Sequence, residues 1–206
     1  MRYEPDYKAK TRQKVLAEAA KIMRAEGVQG MGVANVMGKA GLTHGAFYAH
    51  FESKDALIDE TIKEMILEAR GRFDAVTTDL GPDVALRAYI EFYLSPRHRD
   101  NTQASCPLPW IAGEVVRIGT ASRKRYGISI ATLTEIIAVR LRLLEHAGAD
   151  DAAGSVVAEL IGALSLARAV EDRAQSALIL ARSRKSILAR LGLQPSADAQ
   201  TAAASR

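Results

Sequence analysis

Few side chains in this 206-residue chain have the types and spacing that chemistry needs. Its four histidines, His44, His50, His98 and His146, have no metal-ligand spacing and form no HExxH pair. There is no Walker loop, no GxGxxG and no nucleophile elbow. The chain is therefore expected to need no metal and no cofactor, and not to be an enzyme. Its more telling feature is a stretch without carboxylates. Residues 31–51, MGVANVMGKAGLTHGAFYAHF, carry Lys39, His44 and His50 but no Asp or Glu. Arg2, Lys8, Lys10, Arg12 and Lys14 lie just upstream. Each missing carboxylate removes a repulsion from phosphates, which suits a polyanionic partner. On composition alone, a short segment that lacks acids by chance reads the same way. A second acid-free stretch, residues 115–134, holds Arg117, Arg123, Lys124 and Arg125. It is expected to be a solvated helix end and loop.

The elements that position these residues are helical. Val15, Leu16, Ala19, Ile22 and Met23 make one apolar face, stopped by Gly27. Val33, Val36, Met37 and Ala40 make a second, short helix ending at Gly41, and residues 43–50 make a third. A long stripe follows, from Leu57 and Ile58 through Ile62, Met65, Ile66, Ala69 and Phe73 to Val76, until Gly81-Pro82 breaks it. Further helices are expected over 83–94, 108–118, 128–147, from Asp150 or Asp151 as cap to about 170, and 173–191. Residues 95–107 read as a loop, and 193–206 as a disordered tail. Strand alternation is weak and hairpin turns are missing. The fold class is all-α with about nine helices.

Within residues 33–51 the pattern is helix, tight turn, helix. Gly41 suits a left-handed turn, Leu42 would tuck inward, and the Thr43 hydroxyl is a natural cap for the next helix. This is a helix-turn-helix, whose second helix enters the DNA major groove. Gly45 in its first turn costs up to about 1 kcal/mol against Ala, which close approach to a phosphate or base edge would justify. Tyr48 either places its hydroxyl on a phosphate or is a surface tyrosine. Phe47 and Phe51 are expected in the core. Ser53 is the expected cap of the long helix, and Lys54 in its first turn opposes the helix dipole. A helix N-terminus with a lysine makes a phosphate clamp, unless the lysine simply swings into solvent.

GLTHGAFYAHFESKDAL resembles the signature of TetR-type (TetR/AcrR) transcriptional regulators, and TRQKVLAEAAKIMRAEGVQG upstream is similar to that family's first helix. The resemblance covers about residues 8–68, with the helix-turn-helix at about 31–50. It implies a recognition element holding Thr43, His44, Gly45, Tyr48 and His50, and a phosphate-contacting Lys54. With Lys39 and Ala46 these form the candidate DNA-binding set. Gly32 stands where the family usually has Ser or Thr, and it can cap but offers no hydroxyl for the phosphate contact made there. Residues 69–192 are implied to form a helical ligand-binding and dimerisation domain.

Composition agrees with a globular chain: 48% hydrophobic, 25% charged and a net charge of +4. With one cysteine, no long charge-free apolar run and no signal-like N-terminus, the expected place is the cytoplasm, with no membrane partner. The expected partners are a double-stranded operator, a small-molecule effector of unknown identity and a second copy of the chain. Tyr89, Phe92, Tyr93 and Trp110 could line an effector pocket, with Glu114 for a cationic ligand; core packing is the alternative. Cys106, in Ser-Cys-Pro-Leu-Pro, is either a packed thiol or one sensitised by a helix N-terminus, as in an electrophile- or redox-sensing regulator. The function expected is a ligand-responsive repressor. An architectural DNA-binding protein without ligand control is the competing class.

Overall fold

The computed structural model describes residues 5–193, and among these no strand occurs. The helices are α1 (Pro5–Glu26), α2 (Val33–Lys39), α3 (Lys54–Thr77), α4 (Pro82–Tyr93), α5 (Pro96–Asp100), α6 (Leu108–Ile111), α7 (Thr120–Leu143), α8 (Ala149–Ala169) and α9 (Arg173–Arg190). Short 3-10 helices cover Val28–Gly30, His44–Ala49, Thr102–Ala104 and Val115–Arg117. The fold is all-α, as expected. The expected tail beyond residue 193 lies outside the described residues.

Packing separates two units. The N-terminal unit joins the chain up to Ala69 with Thr102–Ser129, and the second joins Arg70–Asn101 with the chain from Ile130 onward. The N-terminal core holds the apolar faces read from the sequence: Leu16 and Ile22 of α1, Val36 and Met37 of α2, Leu57, Ile62 and Met65 of α3. It also takes in Ile111 and Val115, with Ile118 and Tyr126 packed against it. In the second unit α8 buries Ala153, Val156, Val157, Leu160, Ala163 and Leu164, and it packs chiefly on α9. By length and hydropathy α8 alone among the described helices resembles a membrane span. Its buried face and the Glu159–Arg190 ion pair at 2.8 Å instead fit a core helix.

Several boundaries differ from the sequence expectation, each for a local reason. The third helix is 3-10, not α. The Thr43 hydroxyl makes no capping bond; the Thr43 carbonyl receives the Ala46 N–H at 3.1 Å. The loop over 95–107 contains α5, because Ser95 caps it through the His98 N–H at 3.1 Å and Pro96 starts it. The helix expected over 108–118 stops at Ile111 and resumes only as a 3-10 turn. The helix expected from 128 begins at Thr120, so much of the second acid-free stretch is helical. It ends at Leu143 because Glu145, at φ 55, closes a Schellman motif with His146 N–H on the Leu141 carbonyl at 2.9 Å. Gly148, at φ 68, precedes α8, and Asp150 and Asp151 sit in its first turn rather than capping it. There they still favour the helix dipole.

The turn after α2 is as expected. Gly41 has φ 72, its N–H reaches the Gly38 carbonyl at 3.0 Å, and the Leu42 N–H reaches the Met37 carbonyl at 2.9 Å. These two bonds complete a Schellman motif, and Leu42 packs against the core. A Cβ at Gly41 would meet only the flexible Lys14 Nζ at 3.6 Å, so the cost of Gly41→Ala is backbone strain. Urea unfolding should register a loss of about 1–2 kcal/mol. An unchanged midpoint would mean the turn relaxes without the left-handed conformation.

Candidate nucleic-acid interface

The recognition segment is a six-residue 3-10 helix, His44–Ala49. Such helices have poor hydrogen-bond geometry and rarely stand alone. This one is anchored by aromatic burial. Phe47 and Phe51 are buried and stack with ring centroids 5.7 Å apart. Ala46 is half-buried against the same core. Thr43, His44 and Gly45 are exposed, and Tyr48 is 71% exposed with its ring edge-on to Phe47. A Cβ at Gly45 would meet nothing within 4 Å.

α3 begins directly after this segment. The Ser53 hydroxyl accepts the Ala56 N–H at 3.0 Å, the expected cap. Lys54 is the first residue of α3 and is exposed. The exposed stretch from Thr43 to Lys54 therefore offers imidazole, hydroxyl and ammonium groups, with Glu52 and Asp55 as the acids at its end. Lys39, on α2, pairs with Glu26 at 2.9 Å. Both partners are largely exposed, so this pair contributes little and leaves Lys39 able to exchange.

Arg12 of α1 holds the far end of the segment. Its guanidinium lies 5.0 Å from the Phe51 ring centre, Nε donates to the His50 carbonyl at 3.4 Å, and Nη2 pairs with Glu60 of α3. His50 is half-buried. Its pKa is held below the ordinary histidine value by burial first, then by Lys8 and Arg12. Its ring is therefore neutral at neutral pH.

The residues considered for an effector pocket fall in both units. Tyr89, Phe92 and Tyr93 belong to the second unit, Trp110 and Glu114 to the N-terminal unit. Glu114 accepts the Val28 N–H at 2.9 Å, and a Cβ at Gly27 would come within 2.6 Å of its Oε1. That carboxylate serves the turn between α1 and α2. The Trp110 indole donates to Ser105 Oγ at 3.2 Å. Cys106 is buried near Tyr126, whose pKa is raised by burial first and by the thiol second.

The second unit has an aromatic chain. Phe73 meets Tyr89 at 4.4 Å, Tyr89 meets Tyr93 at 5.7 Å, and Tyr93 meets His98 at 4.8 Å. Phe92 stacks on His98 at 5.0 Å, and Arg140 lies over Phe73. The sequence did not single out His98 as buried. Its Nδ1–H donates to the Tyr93 carbonyl at 2.8 Å, and burial pushes its pKa down to about 4, with Arg168 and Arg72 adding to the shift. Arg99, also buried, donates to Ser176 Oγ at 2.8 Å. Only the Ser-Pro start of α5 hinted at this arrangement.

Residues 15–61 match the family model of bacterial regulatory proteins of the tetR family. Over those residues the chain is similar to the DNA-binding part of that family. Its class is DNA-binding transcription regulation. Solved TetR-type structures share its fold over most of its length. The reduced form of E. coli NemR is 18% identical, with a TM-score of 0.76, covering 86% of this chain and 95% of that one. A TetR regulator from Chloroflexus aurantiacus J-10-FL is 22% identical, TM-score 0.77, covering 92% and 98%. A TetR-family regulator from Cytophaga hutchinsonii is 20% identical, TM-score 0.77, covering 92% and 97%. No curated protein matches the chain.

His98 is expected to make the stability of this chain acid-sensitive. Its pKa is about 4 when folded, against an ordinary 6.5. Below pH 6.5 the unfolded chain takes up a proton that the folded state refuses, so stability falls as pH falls. The loss grows to about 3 kcal/mol as the folded value is approached, and this group contributes none of it above neutrality. Urea unfolding at neutral and mildly acid pH should show the drop in the wild type and a smaller one in His98→Gln. Equal drops would assign the sensitivity to other groups.

Proposed function

We propose that the chain is a sequence-specific repressor that binds a near-palindromic operator as a homodimer and is released by a small molecule. The observation that carries this reading is the exposed stretch from Thr43 to Lys54, held from beneath by buried Phe47 and Phe51. In this reading His44 reads a base edge at the start of the recognition segment, and Thr43 and neutral His50 supply further hydrogen-bonding groups. Gly45 and Ala46 let the backbone come close. Tyr48 and Lys54 bind phosphates, the latter with the help of the α3 N-terminus. Lys39 exchanges Glu26 for a phosphate.

Dimerisation is supported by apolar side chains left open on the last two helices. Leu166 of α8 is 59% exposed and Leu178 of α9 is 50% exposed. Two copies paired there would present two recognition segments about 34 Å apart to two half-sites. For the effector, the aromatic group of Tyr89, Phe92 and Tyr93 is the best-supported location. α3 and α7 each run from one unit into the other, so a ligand that shifts either helix would alter the half-site spacing. The burial of Cys106 favours packing over thiol sensing. An architectural protein without ligand control would not need the second unit.

Fluorescence anisotropy on DNA from upstream of the protein's own gene, against a shuffled duplex at about 0.15 M salt, tests the reading. Preference for the native fragment is expected; equal affinity for every sequence in a genome-wide selection would overturn it. Lys54→Ala should weaken binding to all sequences and lower the salt slope by about one, and His44→Ala should change the order of preferred bases. Gly45→Ala should separate stability from function. The added methyl has open space, so thermal stability should hold or rise, while DNA affinity falls. Unchanged affinity would remove Gly45 from the close approach.

A further inference from the structure

We propose that the first turn of α7 and the 3-10 turn before it form a second DNA-backbone contact surface, through Arg117, Arg123 and Lys124. The inference rests on the DNA-binding reading but concerns residues outside the helix-turn-helix.

The segment is built into the N-terminal unit. Ile111 and Val115 are part of that unit's core, and Ile118 and Tyr126 pack against it. Its register along α3 is set at two points. A Cβ on Gly119 would lie 3.5 Å from Asp55 Oδ2. Arg125 makes a two-point bond with Asp59, Nε to Oδ1 at 2.7 Å and Nη2 to Oδ2 at 2.5 Å. From 119 to 125 the chain therefore runs alongside 55 to 59 in the same direction. The start of α7 is level with the start of α3, where Lys54 stands. Two helix N-termini, each with its positive dipole end, open at this level.

The side chains follow from that register. Ser122 is buried, Arg125 and Tyr126 face inward, and Arg123 and Lys124 take the outer side and are exposed. Arg117 is exposed as well. None of the three has an ion-pair partner among the described residues. Residues 115–134 contain no carboxylate, and Asp59 is already neutralised by Arg125. The cations thus face solvent beside the proposed phosphate clamp, where the exposed acids are Glu52 and Asp55, neither of them in an ion pair with these cations. Long flexible cations without a fixed geometry suit phosphates rather than base edges, so the surface adds affinity without sequence preference. This continuity with Lys54 favours DNA over an acidic protein as the occupant.

The test is anisotropy of the full chain on a mixed-sequence duplex and on the upstream fragment, across a range of salt. Arg123→Ala with Lys124→Ala should lower the salt slope by about two on both DNAs and leave their affinity ratio unchanged. Exchanging the cations, Arg123→Lys with Lys124→Arg, should restore the slope. Arg70→Ala with Arg97→Ala, two exposed cations of the second unit, should not change it, and circular dichroism melts confirm that each variant folds. If Lys54→Ala lowers the slope while the Arg123/Lys124 pair does not, this surface is overturned and the DNA-binding reading stands. If the wild type binds neither DNA at any salt, both fall.

Discussion

The burial of Phe47 and Phe51 is the interaction on which the rest depends. A six-residue 3-10 helix with a glycine in its first turn has too few good hydrogen bonds to hold its shape in water. Its order is borrowed from the two aromatic rings stacked beneath it and from the helices that bury them. Because the rings take the inner side, His44 and Tyr48 remain outside on a backbone that cannot drift. Arg12 completes the support by binding the His50 carbonyl just after the segment, the face of Phe51 and Glu60 on α3 at once. A single residue of α1 thereby ties the recognition segment to two long helices.

Much of the candidate site was legible because it obeys local rules. Gly41 stood where a left-handed residue was needed, Ser53 where a cap was needed, and the apolar spacing of α1, α2 and α3 marked the faces that are buried. Each of these signals acts over four residues or fewer, so the sequence contains it whole. Where a local rule failed, a tertiary contact or an unusual residue had taken over. Glu145 adopts a left-handed conformation that the sequence reserved for glycine, and α7 ends before Gly148 as a result. Thr43 begins its helix through its backbone and leaves its hydroxyl unused as a cap.

The segment 102–129 illustrates the other limit. In the sequence it belonged with the helices that follow the DNA-binding region. In the structure its apolar side chains complete the N-terminal core, Glu114 caps the turn after α1, and Arg125 is spent on Asp59. A glutamate that the sequence offered for a ligand thus accepts a backbone N–H far away in the chain. Similarly, His98 reads as a polar loop residue but is buried between Phe92 and Tyr93, because Ser95 and Pro96 turn that loop into a short helix.

The sequence by itself determined that the chain is helical, where its glycine turn lies, and which apolar faces of α1, α2 and α3 are buried. Those properties follow from periodicity and backbone preference, which neighbouring residues settle among themselves. Tertiary structure alone decided which polar groups are already occupied, how α7 lies along α3, and that the recognition segment is 3-10 rather than α. Those outcomes depend on pairs such as Glu114 with Val28 and Arg125 with Asp59, separated by 86 and 66 residues. Hydrogen bonds and burial are satisfied by whichever group arrives in space, and spacing along the chain does not encode that arrival.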